Sequence, residues 1–229
     1  METMQRVIHR SGLLSRLPSV LLCLALLLLV HALIRQNLPD RLTHGWPWRL
    51  ELLDSQSAVA AVLATGGVSL ARAQYARTVR PALGYIGRVQ GGYAPHDQLA
   101  WACHLINSSS DVALTSEVSY RISYTPVAQA KGAQDSLEWV EHQAAVASIV
   151  ASGLLSREDF ALNSVKPGWP LAGQQLLFLG WFTEKAMRDL DHVFVRVRVQ
   201  DRVGDIHERV IDLLKAAIRS PSHPDPPLV

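Results

Sequence analysis

The feature that most constrains this chain is an apolar stretch at residues 17–34, LPSVLLCLALLLLVHALI. It contains no Asp, Glu, Lys or Arg, and Arg16 and Arg35 flank it. As an α-helix it would extend about 27 Å, close to the hydrocarbon core of a bilayer at about 30 Å. A helix also satisfies its own backbone hydrogen bonds in lipid. The stretch therefore predicts a transmembrane helix, preceded by a cytoplasmic tail at residues 1–16.

A secretory signal peptide is the alternative interpretation of the same stretch. Arg6, Arg10 and Arg16 would form its basic region, and Val30-His31-Ala32 resembles a small-x-small cleavage site. The apolar run is longer than the 7–15 residues typical of a signal peptide, which favours a retained anchor. His31 lies about one helical turn from Arg35, so we expect it to reach the membrane interface.

Residues 35–54 form a polar and aromatic loop that contains Trp46-Pro47-Trp48. Tryptophan favours the headgroup region, where the ring is buried and the N–H stays hydrated. We therefore expect the two tryptophans at the membrane interface, although packing on a folded domain would also accommodate them.

Residues 55–73 predict a second transmembrane helix. No charge occurs between positions 57 and 71, and Gly66-Gly67 would let another helix approach closely. Arginines follow at 72, 77 and 80. The segment is only weakly apolar, so an amphipathic helix lying on the membrane is the alternative.

The arginine distribution predicts the orientation. Four arginines follow the second segment (72, 77, 80 and 88), three precede the first (6, 10 and 16), and three lie between them (35, 41 and 49). The excess outside the loop places both termini in the cytoplasm. If residues 55–73 do not span, the C-terminal part lies outside instead.

Residues 81–217 predict an all-β domain. Period-two alternation marks strands at residues 98–106, 112–124, 174–182, 192–200 and 206–214, and polar turns at 107–111 and 201–205 separate two pairs. Helical spacing interrupts this pattern, which predicts a helical insertion at residues 135–160. The expected fold is an immunoglobulin- or fibronectin-like antiparallel sandwich, and the proline-rich residues 218–229 are expected to form a disordered tail.

The alternation in HVFVRVRVQ at residues 192–200 fixes an expected register. Val197 should face the core and Arg198 should face solvent. We therefore expect Val197→Asp to destabilise the domain and Arg198→Asp to have little effect.

The layout resembles a broad set of uncharacterised bacterial membrane-anchored proteins. The similarity lies in a membrane stem ending in QYARTVRP, an asparagine turn in LINSSSDVAL, and the late strand–turn–strand VFVRVRVQDRVGDIH, and it covers residues 57–214. It implies a small C-terminal β-sandwich domain and a location in a bacterial inner membrane, and no particular activity or catalytic residue.

Sequence motifs for the common enzyme classes are absent: GxxxxGK[ST], GxGxxG, GxSxG and HExxH do not occur. Glu138 and His142 have a helical i, i+4 spacing, but two ligands are too few for a metal site. Cys103 and His104 are adjacent in a strand, so they point to opposite faces and Cys103 is expected in the core. We predict no catalytic, cofactor-binding or metal-binding residue.

Acidic residues and histidines crowd the last predicted hairpin. Turn formation explains the aspartates better than calcium binding, because their spacing lacks a regular loop pattern. The residues concerned are Asp189, Asp191, Asp201, Asp205, His192 and His207.

A formal net charge of +2 and the absence of long basic runs argue against nucleic-acid binding. Cysteines at 23 and 103 are too far apart in the pattern to predict a disulfide. Three functions remain. The preferred one is a non-enzymatic, membrane-anchored binding or scaffolding protein with the bilayer and a protein as partners. The others are a membrane-anchored hydrolase or metal enzyme, which a pocket gathering His104, His142, His192 or His207 with carboxylates would favour, and an exported binding domain cleaved before Leu33.

Overall fold

The computed structural model describes residues 3–9, 12–43 and 52–226. The chain divides into two compact units. One unit, here the sheet unit, consists of Met1–His9 and Val79–Val229, and the other, the helical unit, consists of Arg10–Thr78. The chain therefore leaves the sheet unit after its first strand and re-enters it at Val79.

The helical unit contains α1 (Gly12–Asn37), α2 (Asp40–Thr43) and α3 (Ser55–Thr78). Within the described residues, one helical segment is long and apolar enough to cross a membrane, and it is Arg16–Asn37 in α1. Helix α3 extends beyond the predicted segment 55–73. It is less apolar than α1, because alanine, glycine and serine take the place of leucine along it. Trp46 and Trp48 lie outside the described residues.

Helices α1 and α3 pack side by side as an antiparallel pair. The buried side chains of this pair are small and include Ala25, Ala32 and Ala58. A Cβ at Gly66 would lie 3.9 Å from Leu22 Cδ1, whereas a Cβ at Gly67 would have nothing within 4 Å. Of the two glycines expected to allow a close approach, Gly66 is thus the one that faces α1.

The described residues of the sheet unit form nine strands, three short α-helices and one 3-10 turn, Pro95–Asp97. The helices are α4 (Pro126–Ala130), α5 (His142–Ala151) and α6 (Glu184–Asp189). The strands are β1 (Thr3–His9), β2 (Leu83–Gln90), β3 (Ala100–Asn107), β4 (Ala113–Tyr124), β5 (Phe160–Leu162), β6 (Pro170–Leu171), β7 (Leu176–Thr183), β8 (Leu190–Gln200) and β9 (Ile206–Asp212). They form two antiparallel sheets, in the orders β1-β9-β8-β4-β6 and β2-β3-β7-β5.

Both sheets contribute one face to a common hydrophobic core. The alternating valines of β8 are fully buried, which confirms the predicted inward position of Val197. Trp101, Cys103 and Leu105 of β3 belong to the same core cluster. The period-two pattern of the sequence therefore encodes a core-facing side and an outer side for each sheet.

A bulge in β7 changes which residues reach the outer side of the four-stranded sheet. The pairing of β3 with β7 shifts between Cys103 and His104, opposite Gly180. Gly180 has φ +151°, and a Cβ there would lie 2.2 Å from the Ala161 carbonyl oxygen. Only glycine fits this position without a backbone shift, and the bulge brings both Phe178 and Trp181 to the outer face.

The structure differs from the sequence prediction in three segments. Residues 3–9 of the predicted tail form β1, because they pair antiparallel with β9. The predicted helical insertion at 135–160 contains only α5, because Val140 and Tyr120 exchange two backbone hydrogen bonds of 2.8 Å and hold the chain extended before it. Of the predicted disordered tail, Asp225 pairs with the sheet unit, since its backbone N–H donates to the Val89 carbonyl at 2.9 Å, and residues 227–229 lie outside the described residues.

Candidate functional site

The side chain of Gln5 joins the first strand to the point where the chain re-enters the sheet unit. Its Nε2 donates to the Pro81 carbonyl at 2.6 Å, and its Oε1 accepts from the Leu83 backbone N–H at 2.9 Å. The amide thereby supplies the donor and acceptor that a neighbouring peptide group would offer to the free edge of β2. The strand before the 10–78 segment is therefore hydrogen-bonded to the chain that follows this segment.

A ladder of alternating charges crosses four strands on the outer face of the five-stranded sheet. Arg6 donates to Glu208 Oε1 from Nε at 3.1 Å and from Nη2 at 2.7 Å. Arg198 Nε donates to the other Glu208 oxygen at 2.8 Å, and Arg198 also bonds Glu117. Arg196 Nη2 bonds Glu117 at 2.6 Å. We call these five residues the charge ladder, and they connect β1, β9, β8 and β4.

The most buried member of the charge ladder is Glu208, whose side chain is 3% exposed. Burial raises its pKa, but the hydrogen bonds from Arg6 and Arg198 outweigh burial and hold the pKa below its usual value. A buried carboxylate with one partner removed would be costly, so the ladder depends on Arg6 being present. Through Arg6, the first strand thus contributes to the electrostatic stabilisation of the sheet.

An arginine–aromatic column continues along the same face. The Arg121 guanidinium lies 5.4 Å from the Trp139 ring centroid and 5.1 Å from that of Phe194. Arg196 lies 4.9 Å from Trp139. These cation–π contacts hold the two guanidinium groups against aromatic rings on the outer face of the sheet.

Cys103 and His104 point to opposite faces, as the sequence predicts. Cys103 is fully buried in the core, and burial raises the pKa of its thiol to about 12. The thiol is therefore protonated and unsuited to nucleophilic attack near neutral pH. His104 is half-buried on the outer face of the four-stranded sheet, 5.3 Å from the Phe178 ring.

The remaining histidines singled out by the sequence occupy separate places. His142 Nε2 donates to the Leu162 carbonyl at 2.9 Å. His192 bonds Asp212 at 2.6 Å on the outer face of β8, while His207 and Asp201 form a buried pair at 2.8 Å. In the part of the chain that the structure describes, no three His, Cys, Asp or Glu side chains converge as metal ligands would.

Asp201 acts as a turn former, in agreement with the preferred interpretation of the acidic cluster. Its Oδ1 accepts from the backbone N–H of Val203 at 3.0 Å and of Asp205 at 2.9 Å. The carboxylate therefore organises the β8–β9 turn and also bonds His207.

The outer face of the four-stranded sheet holds a polar cluster that the sequence pattern does not predict. Arg88, Gln90 and His104 share this face, and each has a buried polar atom without a hydrogen-bond partner: Arg88 Nη1, Gln90 Oε1 and His104 Nδ1. Beside them, Tyr93 stacks on Phe178 with ring centroids 5.1 Å apart. Alternation along GRVQ in β2 could have placed Arg88 and Gln90 on one face, but β2 was not predicted as a strand.

Three of the surface cavities in the described part of the chain have volumes of about 350, 560 and 480 Å³. The first belongs to the helical unit and lies between the end of α1 and the start of α3. The other two flank α6, and they share Arg188 as a lining residue. None of these three cavities is lined by His104, His142, His192 or His207.

Comparison of the chain with protein-family models, with curated proteins and with solved structures yields no match. Function must therefore be argued from the residues and their geometry.

Proposed function

We propose that this protein is a non-enzymatic, membrane-anchored binding or scaffolding protein whose anchor is a hairpin of two spans, α1 and α3. The observation that carries the proposal is the position of β1. This strand precedes α1 in sequence, yet it pairs with β9 of the sheet unit. The sheet unit therefore receives chain from both ends of the helical unit.

This connectivity constrains any membrane topology. If α1 crosses a bilayer, the chain must cross back before Val79, because β1 and β2 belong to the same folded unit. Of the described helices between α1 and Val79, only α3 is long enough, at 24 residues or about 36 Å. Either both helices span the membrane or neither does. This disfavours the alternative in which α1 is the only span and the C-terminal part lies outside the cytoplasm.

Packing on α1 offsets the low apolarity of α3. Small residues at the contact, such as Ala58 and Gly66, allow close approach between membrane helices. The Thr65 hydroxyl donates to the Ala61 carbonyl at 2.7 Å, so this polar group is satisfied within its own helix. These features support α3 as a span that is stabilised by its partner helix.

Cleavage of a signal peptide before Leu33 would remove β1 from its sheet. Glu208 would then lose both hydrogen bonds from Arg6, and Pro81 and Leu83 would lose Gln5. This cost favours a retained anchor over the exported-domain alternative. The arginines at 72, 77, 80 and 88 favour a cytoplasmic sheet unit, as in a bacterial inner membrane protein.

The strand order supports an immunoglobulin- or fibronectin-like sandwich. In that architecture strands A-B-E-D form one sheet and G-F-C the other. The order β2-β3-β7-β5 corresponds to the first sheet, and β9-β8-β4 corresponds to the second. β1 then extends the second sheet beyond its last strand. Such sandwiches commonly serve as interaction domains, and the outer face bearing the charge ladder and arginine–aromatic column is our candidate for the protein partner.

The alternative enzyme function would require a site outside the histidines considered above, since these lie apart from one another. A protein partner, by contrast, requires only a rigid and chemically distinctive surface. Affinity purification of the full chain from solubilised membranes tests whether this protein binds a protein partner. We expect a partner whose recovery falls when Arg121 is replaced by Gln, and recovery unaffected by Arg121→Gln would contradict the assignment of this face.

Cysteine accessibility tests the hairpin. In a Cys23→Ala, Cys103→Ala background, we expect Glu158→Cys in the sheet unit to resist a membrane-impermeant thiol reagent in intact cells and to react after lysis. Leu42→Cys, exposed after the end of α1, should react from outside. Labelling of Glu158→Cys in intact cells would overturn the cytoplasmic placement, and equal behaviour of the two positions would overturn the two spans.

A further inference from the structure

The unpartnered polar atoms of Arg88, Gln90 and His104 form a line along the outer face of the four-stranded sheet. His104 lies opposite Ile86, Arg88 opposite Ala102, and Gln90 opposite Ala100. Successive residues on one face of a strand are about 7 Å apart. The three groups thus occupy neighbouring rows of one surface, which we call the Arg88 cluster.

Each of these atoms lacks a partner that its chemistry calls for. Arg88 forms no ion pair among the described residues, and its Nη1 is a charged donor without an acceptor. Gln90 presents an acceptor without a donor. Buried polar atoms in folded proteins are nearly always hydrogen-bonded, so three exceptions on one face point to a missing ligand group or ordered water.

The electrostatics of the cluster favour an anion. Burial, and secondarily the Arg88 charge, lower the pKa of His104, so its imidazole is neutral near pH 7. The cluster therefore carries the single positive charge of Arg88, flanked by a neutral imidazole and a carboxamide. A compact monoanion suits this set better than a dianion.

An aromatic wall borders the cluster on one side. Phe178 contacts His104, and Tyr93 stacks on Phe178 at an interplanar angle of 17°. Tyr93 is 40% exposed and follows Gly91-Gly92, where Gly92 has φ +80°. A ligand ring could take the place of Tyr93 against Phe178 if this glycine-hinged loop lifts.

We propose that the Arg88 cluster binds a carboxylate that has an N–H donor and an apolar group next to it. The carboxylate accepts from Arg88 and His104, the N–H donates to Gln90 Oε1, and the apolar group packs on Phe178. A peptide with a free C-terminus and a small N-acyl amino acid share this chemistry. The inference rests on the proposed binding function by naming a ligand class for one of its faces.

Calorimetry on the full-length protein in detergent tests the site with N-benzoylglycine as the probe. We expect saturable binding that weakens at least tenfold for N-benzoylglycinamide, which lacks the carboxylate. Arg88→Met should weaken binding at least tenfold, whereas Arg157→Met, the same change at an exposed position, should not. Absence of binding, or equal binding by Arg88→Met, would mean that ordered water alone satisfies these atoms.

Two further arms keep the result interpretable. Gln90→Glu preserves shape and should repel the carboxylate, so it replaces Arg88→Met if the latter melts at a lower temperature than the parent. A tripeptide ending in phenylalanine, with a free or an amidated C-terminus, distinguishes a peptide from a small molecule as the source. If these binding measurements fail, the topology and partner-recovery results still stand, because those results concern the helices and the five-stranded sheet.

Discussion

Gln5 accepts a hydrogen bond at 2.9 Å from the backbone N–H of Leu83, a residue 78 positions later in the chain. Between them lies the helical unit, so this single contact closes a long excursion of the chain. Loop-closure entropy opposes such a contact, so favourable hydrogen bonds are needed to offset it. Gln5 satisfies two backbone groups at once, Pro81 C=O and Leu83 N–H.

Replacing Gln5 with Ala should therefore destabilise the sheet unit by about 1–3 kcal/mol, the usual net effect of losing two hydrogen bonds. Thermal unfolding of the full chain in detergent, followed by circular dichroism, measures it. Gln129→Ala serves as the control, since its side chain bonds Asp135 at an exposed site. Equal melting temperatures for parent and Gln5→Ala would show that β1 does not depend on this clamp.

Strands with clean alternation were predictable from sequence. The valines of β8 and the turn at 201–205 have the expected positions because period-two burial leaves a direct signature. β2 escaped prediction because Gly84 and Gly87 interrupt its pattern, and in the structure Gly87 is required by Trp101, whose side chain would lie 2.2 Å from an added Cβ. Local sequence cannot reveal a glycine set by a residue on the neighbouring strand.

The place of β1 was beyond sequence reasoning for a different reason. The sequence of Thr3–His9 is typical of a short basic flank of a membrane helix. It forms a strand because it pairs with β9, about 200 residues away. Arg6 likewise reads as a topogenic charge, yet it bonds the buried Glu208. The Arg88 cluster was hidden similarly, because unpartnered atoms are a property of three-dimensional surroundings rather than of residue type.

Arg198 shows that an outward-facing residue need not be a tolerant one. Val197→Asp should destabilise the domain by more than about 3 kcal/mol, as expected from its complete burial. The expectation that Arg198→Asp has little effect is revised, since Asp at that position would place a second carboxylate beside the buried Glu208. We expect a loss of about 3 kcal/mol for Arg198→Asp in denaturant titrations. Arg157→Asp, at an exposed position, should stay within about 0.5 kcal/mol of the parent.

The charge ladder should make stability depend on pH in the acid range. The pKa of Glu208 is lower in the folded protein than its ordinary value, so its ionised form stabilises the fold above the unfolded pKa of about 4.3. That stabilisation is lost as pH falls through the folded pKa. Glu208→Gln should therefore have a lower free energy of unfolding than the parent at pH 7, and this difference should shrink as pH drops below about 4.3. A gap that is constant from pH 7 to 3 would contradict the role of the carboxylate charge, and exposed Glu158→Gln is the control.

Cys103 should be unreactive in the folded protein. Burial raises its pKa to about 12, and the thiol is fully buried among core residues. In a Cys23→Ala background, we expect no measurable alkylation by iodoacetamide at pH 8 within an hour and complete reaction after denaturation. Mass spectrometry of the intact chain reads the result, and rapid labelling in the folded state would indicate that the sheet unit opens readily.

The two adjacent glycines of α3 offer a matched test of the helix pair. Gly66 faces α1, where an added Cβ would already lie 3.9 Å from Leu22 Cδ1, and Gly67 faces open space. Leucine at either position adds the same apolar surface and helix propensity, so composition cannot distinguish the variants. Gly66→Leu must also fit a larger side chain between the helices, and we expect it to cost about 1–3 kcal/mol of pairing. On the proposed two-span topology, a fraction of Gly66→Leu molecules should then expose Glu158→Cys outside the cell in the labelling assay, with β1 separated from β9, because α3 inserts less well without its partner helix. Gly67→Leu should keep the parental pattern or improve on it, since its leucine is free to face lipid. Identical labelling in both variants would contradict the proposed role of α1 packing in the membrane insertion of α3.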